Sequence, residues 1–221
     1  MHWSLVVRRH PSAFLLAVQL LSLVLFPLFD GRPDGRTAFG AFGVAVLMLA
    51  VLAIRRSPLP NWPAWLLAVP ALLCSLLAVA LDSSTLLLAA LPLEALLYLY
   101  TAASLIAYMM ADQRVTSDEL FAAGATFTLL AWGFAYAFLL CQEMHPGSFV
   151  GLVEPERPRL WIELLFLSFT TLSAVGLGDV VPVSSPARVL VMLEQFAGVG
   201  YVAVVVSRLI GLTILRNRTP D

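Results

Sequence analysis

Apolar runs recur along this chain at lengths that match a bilayer. A hydrocarbon core of about 30 Å is crossed by about 20 residues of helix. Residues 11–29 make one such run, with Gln19 as its only strongly polar member. Further runs cover 37–54, 63–81, 85–110, 120–141 and 186–215. Turn-rich segments such as Asp30-Gly31-Arg32-Pro33-Asp34-Gly35-Arg36 separate them. Pro70 marks a kink inside the third run. Ser83 or Ser84 is placed to cap the fourth, and Thr116 or Ser117 to start the fifth. The pattern predicts six spanning helices.

One apolar stretch does not fit that series. Residues 160–172 suit a helix of roughly 20 Å, which enters the hydrocarbon without crossing it. Val175-Gly176-Leu177-Gly178-Asp179 follows, and its two glycines open backbone conformations closed to other residues. Non-helical backbone at membrane depth survives only when buried in protein or lining a water-filled path. A half-length helix followed by an extended glycine-rich strand therefore predicts a re-entrant pore loop between the fifth and sixth spans.

Composition agrees with a membrane protein. Of 221 residues, 60% are hydrophobic and 12% charged, and mean hydropathy is +0.90. Net charge is −1, which excludes a basic nucleic-acid surface. All 13 cationic residues are Arg, which we read as the coding bias of a GC-rich bacterial genome. Cys74 and Cys141 lie in apolar runs and are expected to be free, buried thiols. The first run lacks a small-x-small cleavage site and is read as a retained helix, not a signal peptide. Arg8, Arg9, Arg55, Arg56, Arg114, Arg216 and Arg218 fall on one side of the alternating spans, and Arg32, Arg36, Arg157 and Arg159 on the other. The excess places both termini in the cytoplasm and the 142–158 loop outside.

The run Thr170-Thr171-Leu172-Ser173-Ala174-Val175-Gly176-Leu177-Gly178-Asp179 resembles the potassium-channel signature T-T-x-T-T-V-G-Y-G-D. Val180-Val181-Pro182 and Ala187-Arg188-Val189-Leu190 are similar to the lead into the inner helix of the prokaryotic two-transmembrane pore-domain family. The resemblance covers about 120–215. It implies a passive, homotetrameric potassium channel with residues 173–178 as selectivity filter. Rings of carbonyls from Ala174, Val175, Gly176 and Leu177 would replace the hydration shell of the permeant ion. Asp179 at the outer mouth would concentrate cations. The half-length helix would aim its C-terminal partial negative charge at the cavity, with Glu163, Thr170 and Thr171 as its supporting residues.

Two positions depart from the family pattern. Ala174 lacks the hydroxyl that the family Thr supplies to the innermost ring. Leu177 lacks the phenol that ties the family Tyr to the pore-helix wall. A weakly selective monovalent cation channel is therefore the alternative. Gly198 lies twenty residues after Gly178 and matches the family's hinge glycine, with Gly200 beyond it. A hinge and close helix packing both explain a glycine there. Val202, Val205 and Val206 are candidates for a hydrophobic gate that closes by dewetting. Arg208 is expected to snorkel to the interface.

Glu163 and Glu194 are read as anchors behind the filter, with Arg159 or Arg188 as pairing candidates. Glu94 lies inside the fourth span, where an ionisable group is a functional candidate by default, unless it sits hydrated near the interface. No Arg interrupts 85–110, which excludes an Arg-based voltage sensor there. Gly176-Leu177-Gly178-Asp179 also matches the GxGD motif of intramembrane aspartyl proteases. That chemistry needs two adjacent carboxylates. Asp179 has no second intramembrane Asp in the sequence, and the motif-like Pro70-Ala71-Leu72 lies on the wrong side of it.

The expectation is an all-α membrane protein with six spans and a pore loop. Residues 1–111 form a four-helix region and 112–221 the pore domain. It is not an enzyme and needs no cofactor beyond permeant K+ or other monovalent cations. Its setting is the bacterial inner membrane. The tail after 215 is too short for a ligand-binding domain, and an unidentified regulatory partner is left open.

Overall fold

A computed structural model of the protein describes residues 11–29, 57–81, 83–111 and 116–218. The run at 37–54, the flanking Arg residues up to Arg56, and Arg114 lie outside the described residues. Helix α1 spans Pro11–Phe29, α2 Trp62–Ala80, α3 Ser84–Met110 and α4 Ser117–Met144. Strand β1 (Phe149–Gly151), helix α5 (Trp161–Leu172), strand β2 (Val180–Pro182) and helix α6 (Ser185–Gly200) follow. A π-helical stretch, Tyr201–Val206, joins α6 to α7 (Ser207–Arg218).

Among the described residues, three continuous helices are long and apolar enough to cross a membrane: Ser84–Met110, Ser117–Met144 and Ser185–Ile214. Helices α1 and α2 have 19 residues each, about 28 Å, near the lower limit for a span. Helix α5 has 12 residues, close to the expected 160–172, and is too short.

The helix ends follow local chemistry. The Thr116 side chain accepts from the Glu119 amide (3.3 Å) and starts α4. Ser184 accepts from the Ala187 amide (3.3 Å) and starts α6, with Pro186 in the first turn where its missing N–H costs nothing. Helix α1 is capped from elsewhere. The Asp118 carboxylate, in the first turn of α4, accepts from the Ser12 amide (3.1 Å) and hydroxyl (3.0 Å). Negative charge at two helix starts is favourable for both. The contact also puts the starts of α1 and α4 on one side of the bundle.

Helix α4 is central, packing against α3, α1, α5 and α6. Leu97, Tyr98, Ala102, Leu129, Trp132 and Leu165 belong to the larger apolar core. A second core around Phe134, Phe138, Phe149, Leu164, Val180 and Val191 sits where the strands meet α5 and α6.

Two features differ from the expected all-helical chain. The 142–158 loop contributes β1, which pairs antiparallel with β2 through Phe149↔Pro182, Val150↔Val181 and Gly151↔Val180. Three-residue strands are too short for an alternation to show in sequence. The expected uninterrupted span at 186–215 contains the π-helical stretch directly after Gly198 and Gly200, glycines being the least constrained backbone. The Tyr201 hydroxyl donates to the Ala123 carbonyl of α4 (2.6 Å) at the start of the widened turn.

At Gly198, α6 comes close to the end of α5. A Cβ at this position would lie 2.2 Å from the Leu172 carbonyl oxygen, whereas one at Gly200 would meet nothing within 4 Å. Close packing therefore accounts for Gly198, and Gly200 is free of that constraint.

Three outcomes are expected in thermal unfolding of the detergent-solubilised protein. Asp118→Ala should destabilise by about 1–2 kcal/mol, the cost of a lost cap. Gly198→Ala should cost about 1–3 kcal/mol through overpacking. Gly200→Ala should be neutral or stabilising by up to about 1 kcal/mol. Equal behaviour of the two glycine variants would refute the packing account.

Candidate functional site

Helix α5 is fixed at its start by aromatic rings and charged side chains. Trp161 packs edge-on to Trp132 (5.4 Å between centroids) and tilted against Tyr136 (5.9 Å) and Phe26 (6.2 Å). The Glu163 carboxylate folds back to accept from the Leu160 amide (2.6 Å), an orphan donor of the first turn. Its other oxygen pairs with Arg157 (2.8 Å), with Arg159 further off at 3.8 Å. Hydrogen bonding to Glu163 raises the Arg157 pKa above its usual value. Arg157 is thus the main partner of Glu163. Arg188 instead donates to the Pro182 carbonyl (3.3 Å).

Arg159 is buried and threads the outer loop. Its guanidinium donates to the carbonyls of Val153 (3.1 Å), Glu154 (2.5 Å) and Arg157. Its backbone amide and carbonyl clasp the Gln142 side chain (2.8 and 3.0 Å) at the end of α4. A Cβ on Gly151 would lie 2.2 Å from the guanidinium, so a side chain in β1 would displace this end of Arg159.

At its other end α5 hands over to residues 173–178. The amides of Val175 (2.9 Å) and Gly176 (3.0 Å) both donate to the Thr170 carbonyl, and the Ala174 amide donates to Thr171 (3.0 Å). Among the described residues, no hydrogen bond ends on a carbonyl of 173–178. Ala174, Gly176 and Gly178 have φ of 60°, 60° and 73°. Alternate residues therefore occupy the left-handed region, which turns successive peptide planes against one another. For Ala174 this conformation costs about 1–2 kcal/mol, and the sequence gives no sign of it. Val175 and Leu177 are 63% and 64% exposed in the single chain.

The other sequence-selected residues fall as follows. The Ser173 hydroxyl turns back to the Phe169 carbonyl (2.7 Å). Thr170 and Thr171 are buried, and the Thr170 hydroxyl bonds within its own helix (2.9 Å). Asp179 accepts from the Val180 amide (3.0 Å), and its carbonyl accepts from the Leu152 amide (2.9 Å), tying the segment's exit to the outer ribbon. Among the valines, Val202 is exposed, Val206 half-buried and Val205 fully inside the core. The Arg208 guanidinium donates to the Met109 carbonyl at the end of α3 (2.5 Å).

Glu94 is buried between α2, α3 and α4 rather than hydrated. It accepts from the Ser75 hydroxyl (2.6 Å) and bonds Tyr136, which stacks on Tyr98 (5.5 Å). Cys74 and Cys141 are free. Sequence reasoning missed Ser168, which is fully buried and bonds both Ala131 of α4 (2.8 Å) and Glu194 of α6. Its signal was available as a lone hydroxyl on an otherwise apolar turn of a membrane helix.

Asp179 is bonded to backbone only, and no second carboxylate joins it among the described residues, so the two-carboxylate chemistry of a protease is not assembled. The family model described as "Ion channel" matches residues 96–214. No curated protein and no solved structure matches the chain. The match points to a transport protein rather than an enzyme. It covers more than half of the sequence, from the second half of α3 into α7. On that match, the chain belongs to the ion channel family.

Proposed function

We propose that this protein is the subunit of a homotetrameric, passive potassium channel whose selectivity filter is residues 173–178. The observation that carries the reading is the backbone of that segment. The amides of residues 173–176 are spent on the end of α5, the segment's carbonyls accept no hydrogen bond among the described residues, and alternate residues are left-handed. Such a strand offers a run of free carbonyl oxygens, which suits a dehydrated cation. Several copies around an axis are needed to complete the coordination, and the resemblance to potassium channels makes four the expected number.

Further support comes from the exposed face of the last span. Val189, Met192, Leu193, Phe196 and Val199 are at least half exposed, Phe196 by 82%. A neighbouring subunit and the pore would share the area between them. In this reading α5 is the pore helix, with its C-terminal dipole towards the ion. α4 is the outer helix, α6–α7 the inner helix, and Asp179 the outer mouth. Gly198 is the seam to the pore helix, Gly200 the freer hinge position, and Val202 with Val206 the gate candidates. Residues 1–111 form a peripheral region and 112–221 the pore domain. The setting is the plasma membrane with both termini cytoplasmic, and gating is left to the lipid or to an unidentified partner.

Ala174 favours one second reading, a weakly selective monovalent cation channel. With no hydroxyl at that ring, the innermost site has only carbonyls to discriminate potassium from sodium.

Bi-ionic potassium/sodium recordings of the purified protein in planar bilayers separate the two. A reversal potential near the potassium limit is expected for the selective channel, and one near zero with single-channel steps for the weakly selective one. Ala174→Thr should raise the potassium preference by about fivefold, the worth of roughly 1 kcal/mol. Asp179→Asn should reduce conductance at low ionic strength and lose that effect at high salt. Absence of conduction in parent and Ala174→Thr alike would refute the channel reading.

A further inference from the structure

Behind the proposed filter, one carboxyl group joins three helices. Glu194 is 0% exposed in α6. Its Oε1 meets the Ser168 hydroxyl of α5, which also lies 2.8 Å from the Ala131 carbonyl oxygen of α4. Glu194 Oε2 is buried with no hydrogen-bond partner. One helical turn on, Gly198 of α6 meets the Leu172 carbonyl of α5. The pairs Glu194–Ser168 and Gly198–Leu172 thus form a two-point seam between the two helices, and Ala131 extends it to the third.

Proton counting limits the state of this seam. Ser168 has one hydroxyl proton. It faces two buried oxygens, Ala131 O and Glu194 Oε1. An ionised Glu194 would leave one of these two close oxygen–oxygen contacts without a proton in it. It would also bury a charge with no cation beside it among the described residues, a costly arrangement. Arg188, on the same helix, is engaged with Pro182 (3.3 Å), and Glu163, on α5, with Arg157 (2.8 Å). Asp118, on α4, accepts from Ser12 at the far end of the bundle (3.1 Å). A proton on Glu194 resolves the count. Glu194 donates to Ser168 Oγ, and Ser168 donates to Ala131 O.

We propose that Glu194 is a positioning residue that acts as a neutral hydrogen-bond donor, clamping α5 between α4 and α6 and so fixing where residues 173–178 stand. The segment leaves α5 through Thr170 and Thr171, within one turn of Ser168. A shift of α5 is therefore transmitted to every carbonyl that follows. The clamp acts through the pore helix and touches no ion.

The functional part rests on the channel reading, so two measurements are paired. In bi-ionic bilayer recordings, Glu194→Gln keeps a neutral donor of nearly equal shape. It should keep the parent's reversal potential and conductance. Glu194→Ala and Ser168→Ala should each lose single-channel conduction or drift to an unselective reversal potential, with tetramer yield retained by Glu194→Gln. The second measurement is the infrared carbonyl band of protonated carboxyl groups in membranes. The parent should show a component that Glu194→Gln removes. Glu194→Gln failing like Glu194→Ala would overturn the proposal, because charge would then be what matters. Glu194→Ala matching the parent would also overturn it. If the parent and Ala174→Thr were both silent, the channel reading would fall. The infrared band would then decide alone, its loss in Glu194→Gln supporting the neutral donor and an unchanged spectrum refuting it.

Discussion

The end of α5 is the constraint on which the rest is built. A helix that stops leaves its last carbonyls without intrahelical donors. The chain answers with its own next residues. Amides of Ala174, Val175 and Gly176 turn back onto Thr170 and Thr171. Capping the helix and building the strand are therefore a single act. Because the strand turns its first amides inward on the helix, its carbonyls are left free, which is the arrangement the proposed channel needs for a cation. The left-handed residues at 174, 176 and 178 are the geometric condition for reversing the chain this tightly.

Holding that short helix falls to its neighbours. Its start is gripped by Trp132, Tyr136 and the Arg157–Glu163 pair, and its end by Glu194 and Gly198. The grips differ in kind. Rings and ion pairs serve the outer end, where water is near. A neutral hydrogen bond and bare backbone contact serve the inner end, where charge would be expensive. Arg159 is the exception, a buried cation at the outer end, and it is satisfied by loop carbonyls that the loop curls around it to supply.

Much of this was legible in the sequence because it rests on run length and residue type. A twelve-residue apolar helix among longer ones, followed by glycines at 176 and 178, is visible without coordinates. The boundary at Leu172 was read to the residue. What stayed hidden depends on distance between segments. Nothing near Ala174 announces a positive φ, because the strain is imposed by the turn and not by the side chain. The sequence offers Arg159 or Arg188 for Glu163 and passes over Arg157, which only the fold of the 142–158 loop brings to it. Gly198 carries a family spacing that suggests motion, whereas its contact with Leu172 shows what a side chain there would strike. The π-helical stretch left no pattern at all, since its register change is absorbed by Tyr201, Val205 and Leu209, which are all buried and four residues apart.

The carboxylate shared by the first and fourth described helices has a consequence for the order of synthesis. Ser12 leaves the ribosome 106 residues before Asp118. At about 5–20 residues per second, that is an interval of roughly 5–20 s. Throughout it, the first amides of α1 have no protein partner and must be served by water or lipid headgroups at the bilayer surface. Helix α1 thus gains this partner only once α4 has been made, and a nascent chain stopped before residue 118 would carry α1 without it.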